Sequence, residues 1–144
     1  PVPNISSFTN NGGIMNARQK FLLIAAAGLI PIALSYGVVP QATLKFLFDI
    51  SIDGTNGIHI FRAIMGLYFA LIIFWILGAR SAKLTRPALF SLTVFMLGLA
   101  GGRTLSFLID GMPHWLLFVY LILEILFGVV GLLMLITLNE TEKA

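Results

Sequence analysis

The stretch LGLAGGRTLSFLIDGMPHWLLFVYLILE, residues 97–124, decides how this chain is read. Two apolar runs meet at Asp110-Gly111-Met112-Pro113, where a glycine just past a helix end and a proline soon after form a strong stop. Each run extends outward to about twenty predominantly apolar residues, the length a helix needs to cross a hydrocarbon core about 30 Å thick. A membrane-embedded helical hairpin is therefore predicted. Inside it sit Arg103 and Glu124, and a charge at such depth costs several kcal/mol unless it is paired or wetted.

Composition extends the hairpin to the whole chain. Of 144 residues, 58% are hydrophobic and only 10% charged, where a soluble domain carries about a quarter charged residues. The length suits four spans of roughly 20 residues each, packed as one bundle. The formal charge of +3 comes from basic residues scattered over span ends rather than gathered in a patch, which argues for membrane topology and against nucleic acid. Absence of cysteine removes disulfides, thiolate metal sites, thiol nucleophiles and covalent haem attachment.

The expected fold is all-α, an integral membrane bundle of four transmembrane helices over about 21–39, 58–78, 88–109 and 115–138, forming one membrane domain over 17–144. Residues 1–16 are polar and uncharged, a tail unable to bury enough apolar area to fold alone. The run from Met15 to Lys20 reads as an ordinary start before a first span, leaving the origin of the preceding residues open. Pro31 is expected to kink the first span. Tyr36 and Pro40 mark its approach to the far interface. From Leu44 to Asp53, apolar residues alternate with Lys45, Asp49 and Asp53 in a segment too short and too charged to cross, so an interfacial amphipathic segment is expected between spans one and two. Arg80, Lys83 and Arg86 are assigned to a short loop, and the third span is expected to begin after Pro87. Arg18 and Lys20 lie on the same side as that loop while the opposite side is acidic, so both termini are expected on the cytoplasmic or stromal face.

Helical periodicity sorts the intramembrane charges onto faces. Residues four apart share a stripe, and small residues mark stripes where helices meet closely. Arg62 shares one with Gly66 and Ala70, Glu124 with Tyr120, Gly128 and Gly131, and Arg103 lies beside a Gly98-Gly102-Ser106 ladder. These stripes are expected to point into the bundle. At 1.5 Å per residue Arg62 and Arg103 lie roughly 6 and 9 Å inside the non-cytoplasmic boundary, and Glu124 roughly 14 Å inside it. The expected site is a buried network of Arg62, Arg103, Glu124 and Asp110, completed by Tyr68, Ser106 and Tyr120. Such a network either staples the bundle or lines a polar pocket whose arginines hold an anionic solute or lipid head group.

Other chemistries find less support. No cofactor or metal is expected: His59 and His114 fall at span starts, away from the mid-depth where a pigment or haem would take an axial imidazole. The acidic Asp53-Gly54 turn lacks the bidentate Glu of a calcium loop. Ser106, His114 and Asp110 contain the residue types of a catalytic triad without its spacing, so the protein is expected not to be an enzyme. The phenylalanines read as lipid-facing bulk.

One resemblance adds to these readings. Residues Arg62 to Tyr68, Trp75 with Gly78-Ala79, Gly98 to Arg103 with Ser106, Asp110-Gly111 with Pro113, and Glu124 together resemble a family of small bacterial four-span membrane proteins known only as a domain of unknown function. The likeness is close over the three C-terminal spans and loose over the first. It implies a four-helix membrane fold and shared polar positions, with no activity, cofactor or substrate. The favoured function is a non-enzymatic accessory or assembly subunit of a larger membrane complex, photosynthetic or respiratory, in contact with membrane lipids. The alternative is a small carrier or binder of an anionic solute or lipid head group, gripped by Arg62 and Arg103 with Glu124 exchanging a proton.

Overall fold

The computed structural model of the protein describes residues 15–141, so most of the polar tail at 1–16 lies outside the described residues. Among the described residues all regular structure is helical: α1 (Ala17–Gly37), α2 (Pro40–Phe48), α3 (Thr55–Arg80), α4 (Ala82–Asp110) and α5 (Trp115–Thr141). Helices α1, α3, α4 and α5 are each long and apolar enough to cross a membrane. Short α2 is the segment between spans one and two. It begins at Pro40 and ends where Asp49 enters the left-handed region at φ 58°, so helix occupies only the first part of the alternating stretch.

The helix ends lie further out than apolar content alone indicates, because polar residues cap and continue them. Asn16 accepts a hydrogen bond from the Gln19 N–H at 2.9 Å while the Gln19 side chain accepts one from the Asn16 N–H at 3.0 Å. This reciprocal box satisfies two otherwise orphaned donors and starts α1 at Ala17. Helix α1 then runs on through Pro31 without a break.

Between α3 and α4 the expected loop shrinks to Ser81. Its carbonyl accepts from the N–H groups of Leu84 and Thr85, and the Thr85 hydroxyl donates to the carbonyls of Gly78 and Ser81 at 2.8 and 3.1 Å. Arg80, Lys83 and Arg86 consequently ride on helix ends, and Pro87 lies within α4 rather than ahead of it. At the other end of α4, Gly111 stops the helix at φ 93°, ψ −162°, a conformation that glycine adopts without a Cβ penalty.

Helix α3 packs most extensively on α1 and also on α4, which pairs in turn with α5. The core stripe of α1 runs Leu22, Ala26, Leu29, Ala33 and Tyr36, alternating steps of four and three. Trp75 of α3 is fully buried and donates from Nε1 to Ser91 Oγ of α4 at 3.0 Å. A Cβ placed on Gly78 would run into Ala88, so the two helices approach as closely as glycine permits. Several rings expected to face lipid are interior instead. Tyr36 meets Phe48, Phe61 and Tyr68 at centroid distances of 6.1, 6.0 and 5.7 Å, and Phe95 lies edge-on to both Tyr68 and Trp75. Offset and edge-on arrangements let the positive rim of one ring meet the negative face of another.

Candidate functional site

Arg103 and Glu124 meet. The core stripe of α4 passes through Leu89, Leu92, Met96 and Ala100, and a further step of three brings Arg103 to the face shared with α5. From there Arg103 Nε donates to Glu124 Oε1 at 2.8 Å and Oε2 at 2.9 Å. The carboxylate is 6% exposed as a residue, and the arginine side chain retains 22% exposure. Glu124 is held inside by its own stripe: a Cβ on Gly128 would strike the Leu97 side chain and one on Gly131 the Thr93 hydroxyl, so glycine at both positions lets α5 lie close against α4.

The three tyrosines of the chain converge on this pair from three helices. The Arg103 guanidinium carbon lies 5.8 Å from the centre of the Tyr120 ring, a cation–π distance. Tyr68 lines the same cavity as Arg103 and Glu124, and the Tyr36 ring lies against it with centroids 5.7 Å apart. Tyr68 and Tyr120 are expected members of the site; Tyr36, read from sequence as an interface marker, is not. The signal that finds it is the α1 stripe of Leu22, Ala26, Leu29 and Ala33, which points at Tyr36 as its next member.

The remaining expected members lie elsewhere. Arg62 is exposed and donates from Nε to the Gly37 carbonyl at 3.3 Å, at the end of α1. It follows Phe61, which starts the inward stripe of α3 through Tyr68, Ile72, Trp75 and Ala79, and one residue turns a helix by about 100°. Arg62, Gly66 and Ala70 therefore face outward. The same arithmetic places Gly98, Gly102 and Ser106 on the outer side of α4, where a Cβ on either glycine would meet nothing within 4 Å. Asp110 is exposed and accepts from the Ser106 hydroxyl at 2.6 Å, one turn back on its own helix. The expected four-charge network thus reduces to one ion pair, and Arg62 lines neither of the cavities that Arg103 lines. Two arginines gripping one anion are not assembled.

Near the turn after α4, His114 Nδ1 accepts from the Leu116 N–H at 3.4 Å instead of bridging Ser106 and Asp110. No group of three or more His, Cys, Asp or Glu converges among the described residues. On the outer face of α2, Lys45 Nζ lies 2.5 Å from Asp49 Oδ1, and this hydrogen bond together with the lysine charge holds the Asp49 carboxyl below its ordinary value of 3.8. Such a solvated pair contributes little to stability.

Two cavities flank the ion pair. One, of about 100 Å³, is walled almost wholly by apolar groups of α1, α4 and α5, including Gly28, Leu29, Met96 and Phe127, with Arg103, Glu124, Tyr68 and Tyr120 at its floor. The other, of about 80 Å³, lies between α4 and α5 toward their connecting turn, bounded by Arg103, Ser106 and Gly111. Arg103 stands between an apolar space and a more polar one.

No curated protein and no solved structure matches the chain. A family match covers residues 17–135, taking in α1 from its first residue and running to the last turns of α5. Four long apolar helices around the Arg103–Glu124 ion pair are thus the architecture, among the described residues, of the family described as domain of unknown function DUF4345, to which the protein belongs.

Proposed function

We propose that the protein is a non-enzymatic accessory or assembly subunit held laterally in a larger membrane complex, with both termini on the cytoplasmic or stromal side. The observation that carries this reading is the outward face of α4. Gly98, Gly101 and Gly102 are exposed there with open space where a Cβ would stand. Within a membrane, helix association relies on close packing rather than on burial from water, and exposed glycines one turn apart let a foreign helix approach backbone to backbone. The bundle itself makes no use of this face. The pairing of Arg103 with Glu124 supports the same reading, because these two charges neutralise each other inside the bundle instead of facing a solute.

Gentle solubilisation of the native membrane, followed by sizing of the particle that contains the chain, tests the proposal. A particle far larger than one 144-residue chain in its micelle is expected, and Gly102→Leu should release the chain from it without unfolding the bundle. Migration of the unaltered chain as a free monomer or small homo-oligomer would count decisively against the reading.

A further inference from the structure

We infer that the apolar cavity between α1 and α5 is a lateral binding site for one hydrocarbon chain of a membrane lipid. Two aromatic contacts join α5 to the α1–α2 side of the bundle near the cavity. At one end Phe21 of α1 stacks on Phe127 of α5 with centroids 5.3 Å apart. At the other, Phe48 of α2 meets Tyr120 of α5 edge-on at 6.0 Å. The cavity opens to the side of the bundle: its lining residues Gly28 and Leu123 are both exposed, and nothing lies within 4 Å of where a Gly28 side chain would begin.

Three properties select the occupant. The walls above the ion pair are apolar, and apolar walls favour hydrocarbon over water, as a roughly 150 Å³ cavity lined by aliphatic and aromatic groups takes up benzene. The lining residues come from the middle of α1 and α4, so the mouth faces the hydrocarbon core and not the head-group layer. The charge at the floor is already neutralised, since Arg103 is bound to Glu124, so an anionic head group brought there would leave a net charge in a low-dielectric site. A flexible acyl chain meets all three conditions, and the bilayer supplies it at the mouth. Seated there, it covers the cavity side of the ion pair and leaves water an approach only from the smaller cavity beside Ser106. This inference does not depend on the accessory role.

Photolabelling tests it on the purified full chain in nanodiscs made of phosphatidylcholine with a diazirine halfway along one acyl chain. Leu29 and Met96 are 4% and 8% exposed yet line the cavity, so label on them reports entry of a chain rather than contact at the outer surface. Phe90, 62% exposed on the outside, serves as the reference. Label on Leu29 and Met96 is expected in the unaltered protein. Gly28→Leu, which fills the mouth, should lower it at least tenfold while leaving Phe90 labelling unchanged, and Leu123→Trp should do the same from the opposite wall. Absence of label on both buried residues overturns the inference, as does labelling that persists unchanged in the two filled variants.

Discussion

Arg103 donates through Nε to both oxygens of Glu124, and each residue is the other's compensation for leaving water. Removing one partner strands the other at membrane depth. Arg103→Ala is expected to cost about 3–5 kcal/mol, whereas the paired replacement Arg103→Met with Glu124→Leu should recover most of that loss, because apolar groups of similar volume carry neither desolvation cost nor an unmet charge. Denaturant unfolding, in one detergent, of the unaltered protein, Arg103→Met, Glu124→Leu and the paired variant gives the coupling directly. A single-variant loss below about 1 kcal/mol would show that the pair does not hold α4 to α5. Both residues were legible in the sequence because charge is rare in a span and demands a partner. Tyr36 was not, since tyrosine near a span end reads equally well as an interface anchor, and only the packing of α1 on α3, which brings its ring 5.7 Å from Tyr68, distinguishes the two roles.

At the scale of elements, glycine has opposite meanings on the two sides of the helices. Gly78, Gly128 and Gly131 lie where a Cβ would collide with a neighbouring helix, while Gly66, Gly98 and Gly102 lie where it would meet nothing. Gly78→Leu should therefore destabilise the bundle by about 1–3 kcal/mol through overpacking against Ala88 and the Leu84 carbonyl. Gly102→Leu should leave unfolding of the isolated chain unchanged or raise its stability slightly, since leucine is the better helix former. Parallel unfolding curves check both, and equal losses from the two substitutions would overturn the assignment of inner and outer faces. The ends of elements carry a related lesson. Helices α3 and α4 continue through Arg80, Lys83 and Pro87 because Ser81 and Thr85 satisfy the backbone groups between them, a short-range hydrogen-bond solution that apolar content does not reveal.

For the molecule as a whole, the charge asymmetry along the chain makes a topological prediction. Because the protein lacks cysteine, a single introduced thiol reports its own side of the membrane without background. Met112→Cys, in the exposed α4–α5 turn, should react with a membrane-impermeant maleimide added to the outside of intact cells or vesicles of native orientation. Lys83→Cys should react only after permeabilisation. The reverse pattern would invert the orientation that the basic residues indicate.

The number and order of the spans and the meeting of Arg103 with Glu124 were determined by the sequence alone, because water and hydrocarbon differ so strongly in their tolerance of polar atoms. Which face of each span turns inward was decided only by the tertiary structure. In water a helix buries its apolar side, so the pattern of residues reveals the core. In a bilayer the outer face is as apolar as the inner, and the choice between them passes to close packing and to polar pairing. That is why two equally plausible stripes, Arg62-Gly66-Ala70 and Glu124-Gly128-Gly131, ended on opposite sides of the bundle: only the second meets a neighbouring helix shaped to receive it.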